Sequence, residues 1–262
     1  MNRTILVSLS ITFLGVASLA QSTGPVLHAG KAGDPSFRGG PGWGNPPANA
    51  SNLIFYGGDT NPSDPNVESF ANGNTLYLPT TATYGAVTAP TGSKLVATGI
   101  LFNQIFECNQ APCSGTAFDP ATATYDIRAH VTEGNGGNDV ASGSGPQTVT
   151  ATGRELPFFG GVQEFATSVL FTKPLAPTSN VTYWVNESPQ CTDSSNSNCS
   201  VMQFLVDNTT QQTNGINPRS QPASQIYVNS LSFGLVWENW CDSSFGLNAH
   251  QCQYLSFGIM GN

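Results

Sequence analysis

Four groups of side chains carry types and spacings from which chemistry could be built. In the segment Thr124 to Glu133 the residues alternate, with Tyr125, Ile127, Ala129 and Val131 on one side and Asp126, Arg128, His130 and Thr132 on the other. A general base at His130, oriented by Asp126, is the catalytic reading. Residues four apart on a strand stand roughly 13 Å apart, too far for a direct hydrogen bond. No Gly-x-Ser-x-Gly turn supplies a nucleophile either. The expectation is therefore exposed strand polarity. A second group, Glu107, Glu133, Glu155, Glu164, Glu187 and Glu238, flanks strand-like runs. Two of them across a concave sheet could serve a glycosidase as acid and nucleophile, but spacing singles out no pair.

The third group is Asp59-Thr-Asn-Pro-Ser-Asp64-Pro-Asn-Val-Glu68, which gathers Asp59, Asp64 and Glu68 with two amides. Carboxylate and amide oxygens suit Ca²⁺, the one cofactor the chain suggests. The spacing is not that of an EF-hand, and Asn-Pro and Asp-Pro pairs also form turns. The fourth group is aromatic. Trp237-Glu238-Asn239-Trp240 and Tyr183-Trp184 could present flat faces and polar tips to sugar rings. Trp237 falls in register with Leu231, Phe233 and Leu235, which assigns it to a core. Trp240, on the opposite parity, is the better binding candidate, with Glu238 and Trp184 beside it.

The six cysteines fall as close pairs, Cys108 with Cys113, Cys191 with Cys199 and Cys241 with Cys252. Short loops close at the least entropic cost, so sequential disulfides are expected, stapling loops rather than bridging a core. A zinc site is a poor alternative, because there is no Cys-x-x-Cys and His28, His130 and His250 lie in unrelated contexts.

The elements that must position these groups read as strands. Leu53–Tyr56, Thr75–Leu78, Leu95–Phe102, Tyr125–Glu133, Gln147–Thr152, Phe165–Phe171, Val181–Val185, Val201–Val206, Ile226–Trp237 and Gln253–Ile259 are apolar or alternating runs between turn clusters. The 28 glycines and 18 prolines break every long helical period. With about eleven candidate strands and no intervening helices, the economical architecture is an all-β antiparallel two-sheet sandwich, jelly-roll-like or immunoglobulin-like. One domain over residues 51–262 is preferred to two smaller sandwiches divided near Pro174–Pro177. Residues 21–50, rich in Gly and Pro and without periodicity, read as a flexible leader.

Residues 1–20 have the layout of a cleaved secretory signal peptide: Arg3, an apolar stretch from Ile5 to Val16, and small residues up to Ala20. The apolar stretch is too short to cross a bilayer, so a secreted, extracellular protein without a membrane span is expected. Charged residues make up only 9% of the chain and its net charge is −8. Sparse, scattered basic side chains exclude nucleic acid and anionic membrane surfaces as partners. Asn-x-Ser/Thr sites at Asn49, Asn180, Asn186, Asn198 and Asn208 would accept glycans only in a eukaryotic host.

The run Thr124-Tyr-Asp-Ile-Arg-Ala-His-Val-Thr-Glu-Gly-Asn-Gly-Gly-Asn-Asp-Val-Ala-Ser-Gly143 resembles a pattern in uncharacterised secreted bacterial β-sandwich proteins, with a likeness spanning roughly residues 95–206. Some members of that group carry a PEP-CTERM-type surface-sorting tail, whereas this sequence ends in Ile-Met-Gly-Asn262. The resemblance implies a secreted β-sandwich and assigns no functional residue. The functional expectation is a non-enzymatic binding or surface-structural role towards an extracellular glycan, cell-surface protein or matrix. A glycan-active hydrolase using paired glutamates is the alternative, and a coat or filament subunit is a third reading.

Overall fold

A computed structural model describes residues 53–60, 69–89, 91, 94–108, 121–156, 162–209, 226–240 and 254–262. The expected signal peptide and leader, Asp64, Glu68, Cys113, Cys241, Cys252 and the side chains of Glu107 and Cys108 lie outside the described residues. The protein is all-β. Its strands are β1 (Leu53–Tyr56), β2 (Ser69–Asn72), β3 (Asn74–Thr75), β4 (Thr81–Thr88), β5 (Ala97–Cys108), β6 (Thr122–Ala129) and β7 (Asn138–Leu156). They continue as β8 (Val162–Leu175), β9 (Thr182–Cys191), β10 (Met202–Thr209), β11 (Ile226–Ser230), β12 (Leu235–Asn239), β13 (Tyr254–Leu255) and β14 (Phe257–Gly261).

Hydrogen bonding runs without interruption in the order β1-β14-β5-β8-β7-β6-β9-β4-β11-β12, and β10 joins β5, β2 and β13. Every pairing is antiparallel except the two-residue contact of β3 with β9. The expectation of two separate sheets gives way to one path that passes through β7. Residues 138–146 of β7 pair with β6, and residues 147–156 pair with β8. The changeover falls at Pro146-Gln147. A proline has no N–H to give a ladder, so it fits where a strand leaves one partner for another.

The two halves of this path contribute to one core. Ile100, Phe102, Val169, Phe171 and Phe257 from the β5 half form a buried cluster with Tyr125, Ile127, Tyr183, Val185, Ile226 and Val228 from the β6 half. The alternation read from Tyr125 to Ala129 is observed, with Ala123, Tyr125, Ile127 and Ala129 buried. It stops at His130, whose φ of 60° turns the chain, so that Val131 joins an outer aromatic cluster instead. The apolar run at Ile100–Phe102 is covered on both faces, as expected of a strand whose residues are apolar in succession.

Three expectations are corrected. Ile226–Trp237 is not one strand but the hairpin β11–β12, turning at 231–234, with Leu231 and Phe233 exposed. Thr75–Leu78 is strand only at Thr75. Its neighbour Thr81–Thr88, composed of small residues around one tyrosine, forms β4. The Cys191–Cys199 disulfide forms as expected and closes a short loop. Both cysteines, however, are buried in a second core cluster with Phe106, Phe165, Met202 and Phe204, so this staple also fills a core. Replacing both cysteines with alanine is expected to lower stability by roughly 2.5 kcal/mol from loop entropy alone, more if the packing does not close. Urea unfolding of the two chains measures it, and an unchanged midpoint would contradict the burial seen here.

Candidate ligand-binding groove

The outward residues of β6 are Thr124, Asp126 and Arg128, and those beside them on β9 include Trp184 and Asn186. β4 supplies Tyr84 from the other side of β9. Beneath the surface Tyr84, Trp184, Tyr227 and Trp237 pack into one aromatic layer. Tyr84 and Trp237 have ring centroids 4.6 Å apart, and Trp184 meets Tyr227 edge-on at 6.0 Å. Trp237 reaches this position with a φ of 52°, and an added Cβ at Gly136 would come within 2.4 Å of its ring. The bare backbone of Gly136 therefore makes room for the indole.

Over this layer lies an open groove of about 410 Å³. At its floor Asp126 Oδ2 accepts hydrogen bonds from Tyr84 Oη at 2.7 Å and Arg128 Nε at 2.6 Å. The guanidinium is fixed in turn by the Gly136 carbonyl and by the Trp237 ring 5.0 Å away. Burial and the neighbouring Asp126 charge push the Tyr84 phenol well above its ordinary range, so it stays a donor. Asp126 Oδ1 is buried and accepts no hydrogen bond from the described residues. A carboxylate oxygen held in place without a donor costs free energy until a ligand or water supplies one.

The walls are equally ordered. Ser142 donates to Asp139, Ser188 to Asn186, and Gln190 to Thr124, while Asn74 donates to Gln190. Thr80 lines one end of the groove. Its carbonyl accepts from Leu231, and the Pro79 carbonyl accepts from Ser232, which sets the 76–79 and 231–233 turns side by side. Tyr77 and Phe233, on these turns, are about two-fifths exposed.

The residues singled out from sequence are distributed differently. Trp184 is buried under the groove, and Trp240 is half-buried, 5.4 Å edge-on from Phe70 and packed on the main core. Both support the sheet rather than face a ligand. Glu238 is half-buried on β12 opposite Val228. Of the other glutamates, Glu133 is exposed and accepts from the Asn239 amide, Glu155 is exposed, and no glutamate lines the groove. His130 is exposed beyond the end of β6. Asn186 and Asn208 are buried, which removes two of the glycan-acceptor candidates. Among the described residues no group of three or more His, Cys, Asp or Glu side chains could hold a metal ion.

Two further polar clusters are sealed from solvent. In the first, Arg154 on β7 ion-pairs with Glu164 of β8 and with Asp59 at 3.0 Å. Asp59 also accepts from Tyr56 Oη, which itself accepts from Asn103. Asp207 adds a third buried carboxyl, bonded by Ser69 at 2.5 Å. Burial first, then the charge of Glu164, raises Asp207 well above the ordinary Asp range. Asp59, assigned to Ca²⁺ from sequence, is thus engaged by a guanidinium.

In the second cluster Glu187 of β9 lies between the two halves of the sheet. Its Oε2 accepts from Thr167 Oγ1 at 2.6 Å and Gln104 Nε2 at 2.7 Å, and its Oε1 accepts from Gln147. Desolvation by burial raises Glu187 to about 7, against the three donors, which lower it. Asn72 links the cluster to β4, donating to Gln104 Oε1 and the Glu187 carbonyl and accepting from the Thr83 amide.

Asp126 and Arg128 could be placed on one outward face by alternation alone. Tyr84 could not, because β4 has no strand signature, and Asp139, Ser142, Ser188 and Gln190 reach the groove only through the strand order. Compared with known proteins, the chain matches no family model, no curated protein and no solved structure.

Proposed function

We propose that the chain is a secreted, non-enzymatic protein that binds an extracellular glycan along the groove over β4, β9 and β6. The observation that carries this reading is the Asp126 carboxylate, fixed by Tyr84 and Arg128 in the lining of an open polar groove. A sugar hydroxyl is a neutral donor of the right size for a fixed carboxylate, and the amides and hydroxyls of Asn74, Ser142, Ser188 and Gln190 offer donors and acceptors to its neighbours. Tyr77 and Phe233 at the Thr80 end supply apolar faces on which a ring can stack while its rim stays wet. The signal-like N-terminus and the disulfide agree with an extracellular setting. Against the hydrolase alternative stands the absence of any glutamate from the groove lining among the described residues.

The test is saturable binding of residues 21–262 to a polysaccharide panel, with and without Ca²⁺. Asp126→Ala is expected to weaken binding at least tenfold, from the loss of about 1.5–3 kcal/mol of charge-assisted hydrogen bonding. Ser142→Ala, which leaves the Asp126–Arg128–Tyr84 core of the site intact, should weaken it less. Trp240→Ala should change stability rather than affinity. Binding that requires Ca²⁺ would implicate the Asp59–Glu68 segment. No binding across the panel would remove the glycan reading and leave a protein-binding or structural role.

A further inference from the structure

The buried cluster around Glu187 has more than the geometry of a satisfied network. Thr167 Oγ1, Gln104 Nε2 and Glu187 Oε2 form a closed triangle with sides of 2.6, 2.7 and 2.7 Å. All three residues are 0% exposed. The hydroxyl is a nucleophile and the Gln104 carboxamide an electrophile, with a carboxyl touching both. On the far side of the amide, Asn72 Nδ2 donates to Gln104 Oε1 at 3.2 Å. That oxygen is the one on which negative charge would develop if the amide carbon were attacked.

We propose that Thr167 and Gln104 join covalently, through an intramolecular ester formed inside the folded protein with release of ammonia. Thr167 Oγ1 adds to Cδ of Gln104 while its proton passes to Glu187 Oε2. The tetrahedral intermediate, its oxyanion held by Asn72, collapses with cleavage of the Cδ–Nε2 bond. Glu187 returns the proton to the departing nitrogen, which leaves as ammonia. One C–O bond and one N–H bond form, one C–N bond and one O–H bond break, and no oxidant, metal or cofactor is consumed.

Four features favour the step over the idle network. Holding the reactants in contact replaces a bimolecular encounter with a local one, which raises effective concentration by orders of magnitude. The terminal torsion of Gln104 is soft, so rotation about Cγ–Cδ presents the face of the carboxamide to Thr167 without moving either strand. Burial excludes the water that would otherwise hydrolyse the amide or the product ester. Glu187, poised near neutrality, can both take and return the proton. Gln147 holds the other carboxylate oxygen and so fixes the orientation of Glu187. Gln147 is a second carboxamide at the same acid, but Thr167 stands against Gln104. The product would tie β5 to β8 by a diagonal side-chain bond, since Thr167 pairs with Phe102 and Gln104 with Phe165.

The experiment is mass spectrometry of the folded full chain after reduction and denaturation. Trypsin cuts after Lys94, Arg128 and Arg154, so Gln104 and Thr167 fall on different peptides. The expected result is a single species in which these two peptides are joined with the loss of one ammonia, and alkaline hydroxylamine separates them, as it does esters. Thr167→Val and Glu187→Gln chains should yield the two peptides unjoined, whereas Thr167→Ser should yield them joined. Separate peptides from the wild-type chain, with Gln104 intact or hydrolysed to glutamate, would overturn the proposal. That reading needs no variant to fold.

Discussion

Replacing Arg154 with alanine is expected to cost about 3–5 kcal/mol of folding stability at neutral pH, the largest effect of any single substitution considered. Among the described residues Arg154 is the cation facing Asp59, Glu164 and Asp207, and all four side chains are buried or nearly so. Removing it leaves carboxylates without a counter-charge in a region that water cannot reach, and desolvation is then uncompensated. Urea unfolding of wild type, Arg154→Ala and Arg154→Met at neutral pH measures the claim. An Arg154→Met chain as stable as wild type would show that Arg154 acts by packing rather than charge.

The second large effect is a loss of wild-type stability as pH rises. Glu187 has a folded-state value of about 7 against an ordinary 4.5. Below 4.5 both states hold the proton, and above 7 neither does. Between them the native state binds more proton than the unfolded chain, so stability falls with increasing pH across that window. The difference corresponds to roughly 3 kcal/mol. Asp207, also raised, adds a loss of the same sign that begins at the ordinary Asp range. If Thr167 and Gln104 are esterified, two of the three donors that lower Glu187 are gone and the window extends to higher pH. Glu187→Gln should flatten the profile between about pH 4.5 and 7. An unchanged slope in that variant would mean that another group carries the pH dependence.

The fold was readable wherever burial alternates along the chain or is continuous. Leu53–Tyr56 was delimited correctly because it is a short apolar run ending in Gly-Gly, and β6 was found through its alternation, although it runs Thr122–Ala129 rather than on to Glu133, because the chain turns at His130. Reading failed where strands are made of residues without a hydrophobic pattern. β4 is Thr-Ala-Thr-Tyr-Gly-Ala-Val-Thr, and Gly85 is needed because a Cβ there would meet the Phe257 ring at 2.7 Å. That close approach belongs to the tertiary structure and leaves no periodic trace. The Ser- and Gly-rich first half of β7 lacks a hydrophobic pattern in the same way.

Site residues divide along similar lines. Asp126 and Arg128 were visible as outward charges on a predicted strand. Trp237 is buried in a core cluster as expected, whereas Trp240 packs on the main core instead of standing out, because parity was counted through Leu231–Gly234, where the chain turns. The buried clusters were invisible as clusters. Glu164, Glu187, Arg154 and Asp207 come from four different strands, and only the strand order brings their side chains together.

The first strand of the sheet pairs with the last: β1 lies against β14, and β14 fills the place between β1 and β5. The described sheet is therefore incomplete until residues 257–261 have left the ribosome. Its longest-range pairings must wait for those residues and close over a long loop, which is the slow end of the range of folding rates. Until they emerge, the growing chain stays threadable.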